Sequence, residues 1–181
     1  METTTETKIG IRRAVPHDLP ALEGLLRMGF QEDAIPELYA NFDVSHVYKV
    51  AIDLMEMGLV FVACESVDDR RERIVGTIVL EARPWHWNPK AIHLRSLFIY
   101  VAKAYRARAV SDGQTIADAF IEISKAVALT TGAVLLLDTA TPSRVEAKDR
   151  LFQKHGLITV GGLHAFVPPR DGADTETAEA A

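Results

Sequence analysis

Between Ala82 and Ser111 the chain carries Arg83, Lys90, Arg95, Lys103, Arg106 and Arg108 and neither Asp nor Glu. A stretch of that charge attracts an anionic partner. Arg106 and Arg108 offer guanidinium forks that match phosphate oxygens. Ala107, Ala109 and Ser111 are small enough for a backbone to come close to such a group, and Ser111 with Asp112 reads as the start of a helix. A turn feeding a helix N-terminus aims unpaired N–H groups and the positive end of the helix dipole at one point, which suits a diphosphate. In the same segment His93 has the side chain suited to general-base work near neutral pH, with an ordinary pKa of about 6.5. Glu81, at the end of the preceding strand, is a second candidate base, and a solvated charge is its plainer reading. Trp85-His86-Trp87 sets two rings beside basic residues, the composition of an acceptor wall or of rings packed over a sheet edge.

Other chemistries are poorly supplied. Cys64 is the only cysteine, so there is no intrachain disulfide and no cysteine-rich zinc site, and its apolar strand context makes it a poor nucleophile. The six histidines show no zinc-protease spacing, and no metal is expected. No apolar run approaches the roughly 20 residues of a membrane helix, and the Thr/Glu-rich start lacks the basic and apolar regions of a secretory signal. A cytoplasmic protein with no membrane contact is the expectation. The formal net charge of −5 argues against wrapping around nucleic acid. That excess sits at the ends, with −2 over Met1–Thr7 and −3 over Pro169–Ala181, so the body is neutral and the basic segment is a local feature.

The 181 residues, 48% of them hydrophobic, fit one domain, expected over 8–168 between disordered tails at 1–7 and 169–181. Lys8–Ala14 alternates as a strand before Val15-Pro16, Asp18 reads as the N-cap of a first helix, and a second helix begins near Asp43 and ends at Gly58. Leu59–Cys64 and Ile74–Ala82 read as a hairpin about Asp68–Arg71, followed by a strand over Ala91–Val101. Ile116, Phe120, Ile123 and Val127 stripe a long helix that ends at Gly132. Ala133–Asp138 reads as a strand buried on both faces, Ser143–His155 as a helix and Leu157–Val167 as a last strand. The order β-α-α-β-β-β-α-β-α-β defines a single-domain α/β (α+β) fold.

Two motifs sharpen this reading. Leu97–Ser111, LFIYVAKAYRARAVS, resembles the GCN5-related N-acetyltransferase superfamily, whose members run a strand of the type L-x-V-x-P-x-Y-R-G-x-G-x-G into a long helix. Leu151–Leu157, LFQKHGL, is similar to that family's L-Y-E-K-x-G-F signature. The resemblance implies an acyl-CoA N-acyltransferase-like fold, with a mixed, mostly antiparallel central sheet flanked by helices. It implies acetyl-CoA as co-substrate and a small-molecule or protein amine as acceptor, and it is compatible with a homodimer. It places Ile99, Tyr100, Val101, Arg106, Ala107, Arg108, Ala109, Val110 and Ser111 around the cofactor, with Ser143 toward the pantetheine arm. A strand bulge is expected to free a main-chain N–H at Tyr100 or Val101 for the thioester carbonyl. His93, thirteen residues before Arg106, becomes the expected base, and Trp85 and Trp87 fall on the acceptor side. Alanine and serine stand where the family has glycines, and Phe152 where it often has a proton-donating tyrosine. Tyr105, Tyr100 or water would then protonate the departing thiolate. The alternative is a catalytically weak module of the same fold that binds a CoA-like ligand or a protein partner.

Overall fold

The computed structural model describes residues 8–32, 42–68, 71–110, 113–138 and 145–159. Five strands form one sheet in the order β1-β2-β3-β4-β5: β1 (Ile9–Arg13), β2 (Val60–Asp68), β3 (Arg71–Trp85), β4 (Asn88–Val101) and β5 (Val134–Leu136). The first four are antiparallel and β5 runs parallel to β4. This is the mixed, mostly antiparallel sheet expected from the sequence.

Helices α1 (Leu19–Glu32) and α2 (Val44–Glu56) cover one face, and α3 (Ile116–Thr131) covers the other. The strand period explains the division, since successive side chains of a strand point to opposite faces. Gly76 of β3 lies under Phe120 of α3, while its neighbour Thr77 and then Val79 face the space beneath α1 and α2. Ile78, Leu80, Leu94, Ile116, Phe120 and Ile121 are fully buried and make the centre of the core. The fourth helix, α4 (Val145–Lys154), packs at the end of α3 and closes with Gly156 at φ +78°.

The ends of the helices show where local rules operate. Asp43 caps α2 by accepting the N–H groups of Ser45 at 2.9 Å and His46 at 3.2 Å, as its sequence position implies. Gly132 ends α3 in the left-handed region at φ +67°, which a residue without Cβ enters without strain. Asp18 behaves differently from the cap expected of it. It ends a short 3-10 turn (Pro16–Asp18), and its buried carboxylate accepts from Val15 N–H at 2.9 Å and from the Arg12 guanidinium at 2.7 and 3.0 Å. Burial raises its pKa, yet the bonds from Arg12 and Val15 outweigh that and hold it below the usual carboxylate range.

Other expectations need correction. Helix α3 starts at Ile116 with Thr115 as its cap, not at Ser111-Asp112, which lie outside the described residues. Strand β5 has three residues and is not buried on both faces; Val134 is exposed. It is short because Gly132 and Ala133 are still closing the helix before it, through bonds to Leu129 and Ala128. Leu157–Thr159 form no strand, and the remainder of the expected last strand and both expected tails lie outside the described residues, as does Ser143.

Candidate active site

The central feature is a fault in β4. Val79 of β3 faces Phe98, but the next residue, Leu80, faces Ser96, so Leu97 is an extra residue on β4. On the other edge β4 is paired with β5 only from His93 to Arg95. Asp138 then closes the pairing: its N–H donates to Ser96 Oγ at 3.0 Å and its carboxylate takes the Arg95 guanidinium. Beyond that point no described strand pairs with this edge of β4. The bulge therefore lies three to four residues before the expected site. Tyr100 and Val101 remain in register with Thr77 and Gly76, and the Val101 carbonyl accepts from Arg106 Nε at 2.9 Å.

A cavity of about 300 Å3 opens along this free edge. Phe98, Ile99, Tyr100 and Val101 form one wall, α3 contributes Ala117 beside Thr115, and α4 contributes Ala147, Lys148, Leu151 and Phe152. Its cations are Arg106 and Lys148. Opposite Arg106 stands Glu32, the last residue of α1, which no sequence pattern indicated. Its carboxylate accepts from the Arg106 guanidinium and, at 2.8 Å, from the Tyr100 hydroxyl. Burial raises the Glu32 pKa, but these two bonds prevail and hold it below its ordinary value. Burial and the anionic neighbour together push Tyr100 up to about 12.

A second cavity of about 230 Å3 lies on the other side of Phe98, between the sheet and helices α1 and α2. Leu22, Leu26, Val47, Val50, Ala51 and Val79 make it mostly apolar, and Leu97 and Phe98 line its inner end. Phe98 thus walls both cavities, with the bulge beside it. Gly29 allows this arrangement, since a Cβ there would stand 2.8 Å from Phe98 Cζ and 3.3 Å from the Tyr100 ring. The polar side of this second cavity has Glu23, whose carboxylate accepts from Tyr48 OH at 2.8 Å and from Arg27 Nε at 2.9 Å. Those bonds, Tyr48 first, hold Glu23 below its ordinary pKa.

The structure brings Ile99, Tyr100, Val101 and Arg106 to the first cavity and places the other described candidates elsewhere. Tyr105 turns away, donating its hydroxyl to buried Glu65 at 2.6 Å, and Arg108 bonds the same carboxylate at 2.6 Å while stacking on the Tyr105 ring. Ala107 and Ala109 are exposed and Val110 is buried, and none of the three lines the cavity. The loop uses much of its own donor capacity. Val110 N–H bonds Gln114 O, Gly113 N–H bonds Val110 O, and Thr115 and Asp118 exchange cap bonds at the head of α3. Ser111 and Ser143 lie outside the described residues.

His93 is not at the bulge. It lies four residues before Leu97, roughly 13 Å along the strand at about 3.3 Å per residue, beyond direct or one-water reach. Its ring packs on Trp85 at 4.6 Å and its buried Nδ1 has no hydrogen-bond partner among the described residues. Trp85 in turn stacks on Trp87 at 5.0 Å at the far tip of the β3–β4 hairpin. Glu81 is paired with Arg83 at 2.6 Å. The basic segment as a whole is less free than its composition implies. Arg83, Arg95, Arg106 and Arg108 are each held by a carboxylate from outside it, namely Glu81, Asp138, Glu32 and Glu65.

Helix α4 is set against the first half of α3 by a partly buried polar knot. His155 sits between Asp118 Oδ1, 2.7 Å from Nε2, and Glu122 Oε1, 2.6 Å from Nδ1, while Lys154 Nζ reaches Asp118 at 2.9 Å. Burial raises the Asp118 pKa, but the bonds from Lys154, His155 and Thr115 overcome it and hold the carboxyl far below its usual range. This knot fixes the α4 wall of the first cavity. Among the described residues no group of three or more His, Cys, Asp or Glu is placed to hold a metal ion, and no helix is long and apolar enough to cross a membrane.

A sheet that parts beside a bulged strand, with a long helix entering from a loop below it, defines the acyltransferase-like architecture expected from the two motifs. Solved structures bear out that fold. The chain is similar to an aminoglycoside acetyltransferase from an uncultured soil metagenomic sample, at 21% identity and TM-score 0.59 over 90% of this chain and 99% of that one. It is similar to a GCN5-related N-acetyltransferase from Ralstonia eutropha, at 17% identity and TM-score 0.61 over 88% and 98%. A predicted acetyltransferase with acetyl-CoA from Clostridium acetobutylicum aligns at 14% identity and TM-score 0.61 over 88% and 96%. No family model and no curated protein matches the sequence. The chain has the GCN5-related acetyltransferase fold.

Proposed function

We propose that the chain is an N-acetyltransferase that moves an acetyl group from acetyl-CoA to a primary amine by direct attack. The observation that carries this reading is the meeting of two cavities at the bulge of β4, one lined by residues matching the cofactor motif and the other apolar. The first cavity suits the pantetheine arm and thioester, with Arg106 and Lys148 for the phosphates. The second admits the amine from the opposite side. The amine nitrogen forms its bond to the thioester carbon, the C–S bond breaks, the nitrogen gives up one proton to solvent water, and the departing thiolate gains one from solvent. A backbone N–H of the Leu97–Phe98 stretch is the donor that meets the developing oxyanion.

Magnitudes decide the proton steps. An alkyl thiol has a pKa of about 8.5, so its anion is a tolerable leaving group. Tyr100 at about 12 is a weaker acid than that thiol and has no driving force to protonate it. The thiol sulfur therefore leaves as the anion and takes its proton from bulk solvent after departure, so the loss of the usual tyrosine to Phe152 is compatible with turnover. On the other side, an ammonium of pKa about 10.4 is disfavoured in an apolar cavity, so desolvation promotes the free amine. Cys64 takes no part as an acyl carrier: burial pushes its thiol up to about 11.

The internal hydrogen bonds of the loop favour a second reading, a module that binds a CoA-like ligand without transfer. A thiol-release assay with acetyl-CoA over a panel of amines separates the two. Acetyltransfer predicts a kcat/KM that rises about tenfold per pH unit below the amine's pKa, because the free-amine fraction rises so. Ligand binding with no thiol release for any amine leaves the module reading, and no binding at millimolar acetyl-CoA overturns both. Glu32 yields a further expectation, because its charge opposes a polyanionic ligand. Glu32→Gln frees Arg106 and tightens acetyl-CoA by about threefold to tenfold at low salt, an advantage that shrinks as ionic strength rises. Weaker binding in that variant would show that Glu32 serves the site by positioning Arg106.

A further inference from the structure

We propose, resting on the acetyltransfer reading above, that the acceptor is an apolar monoamine, an alkylamine or arylalkylamine, and not a polycation. Three features of the second cavity carry this. It is lined mostly by aliphatic side chains of α1, α2 and β3, and the Phe98 ring that lines one end of it also lines the first cavity. Its volume of about 230 Å3 exceeds the roughly 150 Å3 apolar cavity that accommodates benzene, leaving room for a ring with a short chain. Its charge balance excludes the alternative. Among the described residues Glu23 is the only carboxylate lining it, and both its oxygens are engaged, one by Arg27 and one by Tyr48. A polyamine or aminosugar brings several ammonium groups, each of which needs an anionic partner when it leaves water, and the described lining of the cavity offers none uncompensated. An apolar monoamine buries its body against Leu22, Val47, Val50 and Ala51 and carries one nitrogen to the Leu97–Phe98 end, where the donor cavity begins.

The test is a homologous series of linear monoamines from propylamine to octylamine, with phenethylamine, spermidine and kanamycin, assayed by thiol release on the full chain. Within the series kcat/KM rises about threefold to fourfold for each added methylene until the cavity is filled, the increment expected from burying one CH2 at about 0.8 kcal/mol. Phenethylamine exceeds spermidine and kanamycin by at least about tenfold. Ala51→Phe, which places a ring in the cavity from the surface of α2, removes the dependence on chain length and leaves acetyl-CoA affinity, measured by calorimetry, at the wild-type value. A flat series or a preference for the polycations overturns the proposal while leaving acetyltransfer intact. Should no amine release thiol, calorimetry with phenethylamine still decides. Binding that Ala51→Phe abolishes upholds the apolar-amine site although transfer has failed, and no binding at millimolar amine overturns it.

Discussion

Ala147→Trp abolishes acetyl-CoA binding and leaves the fold intact. Ala147 projects from the partly exposed α4 into the donor cavity, across from β4. An indole in that position occupies much of the roughly 300 Å3 cavity proposed to hold the thioester arm. The surface of α4 is under no packing constraint there, so the cost falls on the ligand and not on the core. We expect a loss of affinity of at least about a hundredfold, equivalent to about 2.7 kcal/mol, with an unchanged circular dichroism spectrum and melting temperature. Calorimetric titration measures the first and thermal denaturation the second. Wild-type affinity in a folded Ala147→Trp protein would place the ligand in another part of the molecule.

Asp118→Ala has the largest expected effect on stability. Its carboxylate is buried, joins the cap of α3 to Thr115, and receives both Lys154 and His155 from the end of α4. Removing it breaks the reciprocal half of the cap, although Thr115 still accepts from the backbone N–H of residue 118, and leaves the His155 imidazole with one carboxylate partner, a combined loss of about 3 kcal/mol. Denaturant unfolding checks the size. The sign with pH follows from the depressed pKa in the folded state. The carboxylate's contribution is complete above its unfolded value of about 3.9 and disappears as pH falls toward the lower folded value. Wild type therefore loses stability on acidification below about pH 4 more steeply than Asp118→Ala, and parallel curves for the two proteins would contradict this role.

Sequence and structure agree where the controlling interaction is local. Asp43 and Gly132 mark helix ends through backbone groups within one turn, and both were legible. The strand-to-helix motif brings Ile99, Tyr100, Val101 and Arg106 to one cavity for the same reason. What was not legible depends on distant partners. Glu32 meets Tyr100 and Arg106 across 68 and 74 residues, and no spacing in the chain announces that contact. The basic segment misled in the same way. Its charge is local in sequence, but its arginines meet carboxylates drawn from β2, β3, α1 and the end of β5, so the fold neutralises most of what composition displays. His93, the Trp pair and the cofactor motif share one segment, yet β4 is extended, so the Trp pair lies at the hairpin tip, His93 about 13 Å short of the bulge and Val101 at the opposite end. The bulge at Leu97, which frees the edge of β4, arises from the register between β3 and β4 and has no signature in either strand alone.

The central claim is that donor and acceptor meet at the bulge of β4. A crystal structure of the full chain with acetyl-CoA tests it most directly. The account predicts the thioester carbonyl within hydrogen-bond distance, about 2.9 Å, of a main-chain N–H in the Leu97–Phe98 stretch, with the acetyl methyl facing the apolar cavity beneath α1 and α2. A carbonyl bound at Tyr100 or Val101, or a ligand seated away from Phe98, would contradict it.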